Sequence, residues 1–268
     1  MRISLRGIEL AKLSVLVTRP EGQGQGLADK LHAVGLDVLL FPTLKIQPKV
    51  LTSVEQQCIQ FLERYSYVIC VSANAAKMGV ELLADYWPQW PLEQQWVAVG
   101  PATYNAMQGW GLSNVLLPQG ASHSEGILAL DCLQNLDDQK VLILRGVSGR
   151  ELLADTLCQR GAEVDYLELY ERKMPEITQL GLSNKLPEWL NSNAKKVIVV
   201  TSGDGLKNLI TMAQGQSSEL LAICLVVVSQ RLADFAKQQG FVTVQVANGA
   251  SDDAIALCIN SSINNNRT

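Results

Sequence analysis

Two arginines flank a glycine turn at the end of a strand-like run near the middle of the chain. The segment LRGVSGRELL carries Arg145 and Arg150 on either side of Gly146 and Gly149. A guanidinium group is permanently charged and binds a carboxylate or phosphate through two parallel hydrogen bonds. The spacing therefore predicts an anion-binding turn. The glycines by themselves are equally explained by the need for a tight turn.

Small polar residues recur in the other turns that follow strand-like runs. Such residues are also what helix N-caps require, so each one taken alone is explained by structure. Together they would place several unpaired backbone N–H groups at helix N-termini, which is a natural receptor for carboxylates. The candidates are Ser72, Asn74, Thr103, Thr201, Ser202 and Ser229.

The common catalytic motifs are missing from the sequence. EGQGQG does not match the dinucleotide fingerprint, and no phosphate-binding GxxxxGK[ST] loop occurs. The two histidines, His32 and His123, suggest no catalytic triad. An enzyme with these residues would act by positioning its substrate and stabilising charge, aided by one weak acid. Tyr170 in YLELYERK is the best phenol for that role, although its spacing alone favours a half-buried strand aromatic.

Composition narrows the class of protein further. The 268 residues carry a formal net charge of −4, which argues against general nucleic-acid binding. The six cysteines form no CxxC pair and the histidines number two, so we expect buried, reduced thiols and no metal or other cofactor. The N-terminal segment lacks the apolar core of a signal peptide, and no apolar run reaches about 18 residues. We expect a cytoplasmic protein that does not bind membranes.

One pattern is written twice along the chain. When the sequence is shifted by 126 positions, nine of 24 residues from Val15 onward are identical to those from Val141 onward. Arg19 falls on Arg145 in this alignment, which makes Arg19 a further candidate contact for an anion. Each copy reads as β-α units, and such units form parallel sheets. The sequence therefore predicts an α/β protein made of two similar halves.

The ordered set of motifs resembles the uroporphyrinogen-III synthase family. The resemblance runs from about Ser14 to Leu257, and its most specific part is the VLILRG segment with the GRELL and RGAEV that follow it. Further matching motifs, in order, are VLVTRP, VSANA, VGPAT, SEGIL, LYERK, VVTSG and VVSQRLA.

The resemblance implies two similar Rossmann- or flavodoxin-like parallel-sheet domains joined by a two-stranded connector. One domain would be discontinuous, formed by residues 1–40 together with 173–268. Residues 44–171 would form the other domain. Periodicity alone does not separate this arrangement from two tandem domains, because both contain the same alternation of strands and helices.

The resemblance also implies a lyase that closes hydroxymethylbilane to uroporphyrinogen III. The reaction loses water and inverts the last pyrrole ring through a spiro intermediate. Tyr170 would help the hydroxyl to leave, and the substrate carboxylates would be bound by Ser72, Asn74, Thr103, Arg145, Gly146, Arg150, Thr201, Ser202 and Ser229. We expect a monomer without cofactor, in transient contact with the enzyme that makes the unstable bilane.

Two other functions fit the same residues. A non-catalytic two-lobed module that binds a small anion would use the same turns and would not need Tyr170. A nucleotide-dependent transferase or reductase would need phosphate-loop glycines, which the sequence lacks. Turnover of the bilane separates the enzyme from the binding module.

Overall fold

Strands and helices alternate along most of the chain. The computed structural model describes residues 13–91, 93–112, 114–119, 124–149 and 151–265. Short 3-10 turns at Leu62–Arg64 and Asp131–Leu133 interrupt the alternation. The elements in chain order are β1 (Leu13–Val17), α1 (Gln25–Ala33), β2 (Asp37–Leu40), β3 (Lys45–Pro48), α2 (Ser53–Gln60), β4 (Tyr67–Cys70), α3 (Ala73–Tyr86), β5 (Gln95–Ala98), α4 (Pro101–Gln108), β6 (Val115–Leu116), α5 (Ser124–Leu128), β7 (Lys140–Gly146), α6 (Leu152–Gln159), β8 (Glu163–Lys173), α7 (Lys185–Asn191), β9 (Lys195–Val200), α8 (Gly203–Met212), α9 (Ser217–Ala222), β10 (Cys224–Val227), α10 (Gln230–Gln238), β11 (Val244–Val246) and α11 (Asp252–Asn265).

The chain divides into two compact units. Unit 1 comprises the described parts of Met1–Ile46 and Lys173–Thr268, and unit 2 is the continuous segment Gln47–Arg172. The chain leaves unit 1 within β3 and returns to it at the end of β8. Unit 1 is therefore built from the two ends of the described chain.

Each unit contains five parallel strands in the same order. Unit 1 has the order β11-β10-β9-β1-β2, and the sheet of unit 2 has the order β3-β8-β7-β4-β5-β6. Without the edge strand β3, both sheets follow the flavodoxin-like order 2-1-3-4-5 when strands are numbered by their place in the repeat. The predicted fold class, two similar parallel-sheet α/β domains, is confirmed.

The sequence repeat appears in the sheets as a repeat of strand register. Val15 pairs with Val38 between β1 and β2, and Val141 pairs with Val164 between β7 and β8. The two pairs are separated by the same 126 positions as the matching sequences. The repeated residues therefore form the same parallel strand pair in each unit.

Both faces of the unit 1 sheet are buried, which explains its continuous apolar strands. Leu16 packs into the core on one face, whereas Val15 and Val17 pack into the core on the other face. Ile198 and Val199 of β9 alternate in the same way. Parallel sheets are covered by helices on both faces, so every strand position favours an apolar side chain.

The cysteines only partly follow the sequence prediction of burial. All six are free, and Cys58 and Cys70 are buried, but Cys132 and Cys158 are exposed. Cys158 lies in α6 beside the buried Leu157, on a position that faces away from the core. The prediction was wrong for these two because a single apolar residue does not reveal which face of an element it occupies.

No helix in the described part of the chain is long and apolar enough to cross a membrane. Among the same residues, no group of three or more histidine, cysteine, aspartate or glutamate side chains is arranged to hold a metal ion.

Candidate functional site at the switch point of unit 2

In the unit 2 sheet, the direction in which the chain adds strands reverses between β4 and β7, and this position is the switch point of the sheet. From β4 the chain builds outward to β5 and β6 on one side, and β7 and β8 lie on the other side. Loops that leave the carboxyl ends of two such neighbouring strands diverge, which opens a crevice where open α/β sheets bind ligands. Ser72 follows β4 and Gly146 ends β7, so both predicted site residues lie at this switch point.

Ser72 is the N-cap of α3. Its backbone is extended, and its Oγ accepts a hydrogen bond from the backbone N–H of Ala75 at 3.0 Å. The same Oγ lies 3.0 Å from the hydroxyl oxygen of Tyr170. The structural role and the proposed site role of Ser72 therefore coexist in one side chain.

Tyr170 reaches the switch point from β8, which pairs with β7. The register shifts here, because Arg145 pairs with Glu168 and the next residue, Gly146, pairs with Tyr170. Leu169 is thus the extra residue of a bulge, a feature that re-aims the side chains that follow it. Tyr170 is only 1% exposed, although its hydroxyl lies beside the half-buried Ser72.

Gly146 makes room for the phenol ring. A Cβ at this position would lie 2.6 Å from Cε2 and 2.7 Å from Cζ of Tyr170, far inside van der Waals contact. The φ angle of Gly146 is not in the left-handed region, so a side chain is excluded by the ring and not by the backbone. This glycine is required because the ring packs directly on the end of β7.

Arg145 is held by carboxylates of its own unit. Its Nε donates to Glu168 at 3.1 Å, its Nη2 donates to Glu151 at 3.0 Å, and its guanidinium carbon lies 3.9 Å from the ring centroid of Tyr166. Arg145 is 7% exposed, and its Nη1 is buried with no hydrogen-bond partner among the described residues. Arg145, Glu151, Tyr166 and Glu168 are called the Arg145 cluster below.

The pKa shifts within the Arg145 cluster follow from these contacts. Burial acts to lower the pKa of Arg145, but its hydrogen bonds to Glu151 and Glu168 outweigh burial and raise it. The pKa of Glu151 is lowered by the hydrogen bond from the Tyr166 hydroxyl and then by Arg145. Burial, followed by the neighbouring Glu151, raises the pKa of Tyr166. Arg145 and Glu151 are thus both charged at neutral pH, and the Tyr166 hydroxyl stays protonated.

The remaining predicted residues of unit 2 lie near the same sheet edge. Asn74 is half-buried in the first turn of α3, two residues beyond the cap. Thr103 is 3% exposed in the first turn of α4, which begins with Pro101 after β5. Arg150 lies outside the described residues.

Unit 1 carries the second group of predicted residues, also around a switch point. In its sheet, the direction in which the chain adds strands reverses between β1 and β9. The predicted Arg19 follows β1, and the predicted Thr201 and Ser202 follow β9. Ser202 caps α8 by accepting from Gly205 N at 3.1 Å, as Ser72 caps α3 in unit 2. Ser229 caps α10 after the next strand, β10.

Arg19 is engaged within unit 1. Its Nη1 lies 2.5 Å from Asp252 Oδ1, and its Nη2 donates to the carbonyl oxygen of Ala250 at 2.8 Å. These contacts tie the end of β1 to the start of α11. Each unit thus carries one group of predicted residues, and in unit 2 Tyr170 contacts both Ser72 and Gly146.

Sequence reasoning did not select one residue that contacts this group. Arg172 Nη2 donates to the Tyr170 hydroxyl oxygen at 3.2 Å, and its guanidinium carbon lies 5.5 Å from the ring centroid. The signal was present in LYERK, because residues two apart on a strand point to the same side. The spacing was therefore enough to predict that Arg172 lies beside Tyr170.

Known proteins give the same family for this chain. The family model described as "Uroporphyrinogen-III synthase HemD" matches residues 25–256. The uroporphyrinogen-III synthase of Escherichia coli K12 is 33% identical over 248 residues, which cover 91% of this chain and 98% of that protein. The corresponding protein of Salmonella typhimurium LT2 is 31% identical over 246 residues, with the same coverage of both chains.

Solved structures are similar in fold. The uroporphyrinogen-III synthetase of Helicobacter pylori 26695 aligns with a TM-score of 0.62 at 16% identity, covering 93% of this chain and 99% of that one. A mutant uroporphyrinogen III synthase of Thermus thermophilus aligns with a TM-score of 0.61 at 14% identity, covering 94% and 99%. The family model and the sequence relatives, which span nearly the whole chain, show that this chain belongs to the uroporphyrinogen-III synthase family.

Proposed function

We propose that this chain is a lyase that closes hydroxymethylbilane to uroporphyrinogen III in tetrapyrrole and haem biosynthesis, with Tyr170 as the proton donor. The observation that supports the role of Tyr170 is its phenol oxygen, which lies 3.0 Å from Ser72 Oγ at the switch point of unit 2. Loss of the terminal hydroxyl as water generates the reactive azafulvene. A phenol in a water-poor site can supply the proton that this step needs.

Much of the remaining catalysis is positioning. The bilane closes without an enzyme to the uninverted isomer, so the enzyme must fold the chain and favour attack through the substituted carbon of the last ring. Holding two reacting ends in register converts a search among conformers into a single productive arrangement. The substrate carries carboxylates on every ring, and the protein can bind these groups to fix the conformation of the substrate.

The carboxylate-binding groups that we propose are helix N-termini. Ser72, Ser202 and Ser229 each cap a helix of nine or more residues and follow a parallel strand. The first backbone N–H groups of such helices have no partner within the helix, and the helix dipole favours an anion there. Thr103 and Thr201 belong to the same kind of turn and are proposed as further contacts.

Arg145 would bind a substrate carboxylate only by exchanging a partner. Glu151 is the exchangeable one, since its side chain is 56% exposed, whereas that of Glu168 is 22% exposed. The Nη1 atom would gain a partner in the same rearrangement. We propose this exchange for Arg145, and a direct contact for Arg19, Asn74, Gly146 and Arg150.

We propose a cytoplasmic monomer that takes the bilane from the enzyme that makes it. The reason is chemical, since an intermediate that closes spontaneously to the wrong isomer is best transferred quickly. Sedimentation of the purified chain, alone and with a bilane-forming enzyme, tests the monomer and the contact.

The test of the reaction is a coupled assay. Hydroxymethylbilane is generated in situ, the protein is added, the product is oxidised, and porphyrin isomers are separated by chromatography. We expect isomer III in excess over the spontaneous isomer I. Isomer I alone from a folded sample would contradict the proposal and favour an anion-binding module.

Tyr170→Phe tests the proton donor in the same assay. We expect kcat to fall by about 10²-fold or more with little change in KM, as for removal of a general acid. Tyr67→Phe is the matched control, because Tyr67 lies at the start of β4, away from the switch point, and donates to Cys132 O at 3.0 Å. Equal turnover by the Tyr170 variant and the wild type would exclude the proton-donor role.

A further inference from the structure

Arg172 is an exposed residue that contacts a buried phenol. Tyr170 is 1% exposed, and Arg172 lies two residues later on β8 with its Nη2 3.2 Å from the phenol oxygen. Among the described residues, the phenol oxygen thus has two polar neighbours, Arg172 and Ser72. A guanidinium cannot accept a proton, so of these two neighbours only Ser72 can receive the proton of Tyr170.

The contacts in this group allow a proton path from Tyr170 to Ser72. A guanidinium only donates, so the phenol oxygen accepts from Arg172, whereas either hydroxyl can donate in the contact between Tyr170 and Ser72 Oγ. Ser72 Oγ already accepts from the N–H of Ala75 at 3.0 Å. When the phenol donates to Ser72 Oγ, both acceptor positions of the serine oxygen are filled and the serine hydrogen can be given to a ligand.

We propose that Arg172 is a positioning residue that directs the phenol proton of Tyr170 through Ser72 to the leaving hydroxyl of the substrate. The inference rests on the proposed function. Tyr170 would be the ultimate acid, Ser72 the half-buried group that touches the substrate, and Arg172 the charge that orients and neutralises the phenolate. The sequence of donation runs from Arg172 to Tyr170, to Ser72 and then to the substrate.

The step balances within the active site. Ser72 gives its hydroxyl proton to the substrate hydroxyl as it receives the Tyr170 proton. The carbon–oxygen bond then breaks with its electron pair on oxygen and water leaves, while the ring nitrogen, which keeps its hydrogen, supplies electrons to form the cationic, N-protonated azafulvene. The proton that the last ring carbon loses on final closure returns to the phenolate by the same path.

The charge of Arg172 has a clear physical role in this step. A buried phenolate without a counter-ion would be poorly solvated, which would slow proton loss from Tyr170. A charge-assisted hydrogen bond from a guanidinium strengthens as the phenol becomes an anion. The contact is therefore stronger in the transition state than in the ground state, which is the condition for raising kcat.

A double-mutant cycle tests the proposal on the full chain, with the isomer III assay as readout. We expect Arg172→Ala to lower kcat about ten- to hundredfold with KM changed less than about twofold, and Arg172→Lys to recover part of the loss. In the Tyr170→Phe background, Arg172→Ala should have no further effect on kcat, because the proton that it directs is absent.

Arg64→Ala is the matched control for removing an exposed, ring-stacked arginine. Arg64 lies 4.0 Å above the ring of Phe61, just before β4, and it belongs to neither group of site residues. We expect this variant to retain wild-type kcat and KM.

Ser72→Gly and Ser72→Thr test whether the Ser72 hydroxyl passes the proton to the substrate. Glycine at an N-cap costs little stability and has no hydroxyl, so Ser72→Gly should lose kcat as Tyr170→Phe does. Ser72→Thr keeps both cap and hydroxyl and should retain most of the turnover.

The outcomes separate this inference from the proposed function. Wild-type protein that yields isomer I alone would remove both. Wild-type protein that yields isomer III, combined with an Arg172→Ala effect that is confined to KM or is the same in both Tyr170 backgrounds, would overturn the role of Arg172 alone. In that case the arginine binds a substrate carboxylate directly.

Discussion

Gly146→Ala isolates the position of the Tyr170 ring from its chemistry. The added Cβ would begin 2.6 Å from Cε2 of Tyr170, and ordinary carbon contacts lie at about 3.5 Å. The ring or the end of β7 must therefore move by about 0.9 Å. The phenol oxygen sits 3.0 Å from Ser72 Oγ, so a movement of this size away from the serine breaks the hydrogen bond.

The expected size of the effect follows from that displacement. Overpacking of a well-filled site costs about 1–3 kcal/mol of unfolding free energy. Misplacing a catalytic group by about 1 Å can lower the rate about 10²-fold, so we expect kcat for isomer III to fall on that scale. Urea unfolding gives the stability, and the isomer assay gives kcat on the same preparation.

Gly79→Ala is the control for overpacking alone. The atoms nearest to its Cβ belong to Leu144 and Leu169, so it overfills the core of unit 2 next to β7. We expect a change in stability with kcat preserved. A Gly146→Ala protein that loses stability but keeps full turnover would refute the claim that this ring position matters for the reaction.

Two further predictions concern charge in unit 2. Glu55→Gln should lower the free energy of unfolding by about 1–2 kcal/mol near neutral pH, because Glu55 accepts from Lys49 at 2.6 Å and completes the capping box of α2. Burial acts to raise the pKa of Glu55, but the bonds from Lys49 and Thr52 outweigh it and lower the pKa below 4.5. The contribution of the charge is therefore present above that pH and is lost as pH falls through the lowered value, so urea titrations of variant and wild type should converge in acid. Arg145→Ala should cost about 3 kcal/mol in urea unfolding at neutral pH because it leaves carboxylates of the cluster unpaired, and a stable variant with merely weaker product binding would contradict the structural role.

The repeated β-α pattern was enough to predict the fold class. Identical residues 126 positions apart, such as Val15 and Val141, occupy identical registers because each copy must bury the same apolar strand faces. Which strands share a sheet was implied by the family resemblance and not by periodicity. Pairing across long sequence distances, such as Leu16 with Ile198, leaves no local trace in the sequence.

The candidate site was predictable in its residue types but not in its contacts. Turn chemistry indicated the caps at Ser72 and Ser202, because hydroxyl residues before a helix have a local cause. The packing of Tyr170 on Gly146 depends on the register shift between β7 and β8, and no pattern in the sequence predicts that shift. The carboxylates that bind Arg145 are Glu151, just before α6, and Glu168 in β8. The sequence alone does not show these contacts, so Arg145 was predicted to be available for a ligand.

The discontinuous unit 1 has a consequence for how the protein is made. During synthesis β1 and β2 emerge first, yet the neighbour of β1 on its other side, β9, lies at residues 195–200. Unit 2 is a continuous segment and is the first unit whose strands have all left the ribosome. The edge of β1 that pairs with β9 therefore stays unpaired until residues 195–200 have been translated. Unit 1 therefore closes around a strand that is made well before its neighbour β9, and the open edge of β1 is where a chaperone would be needed.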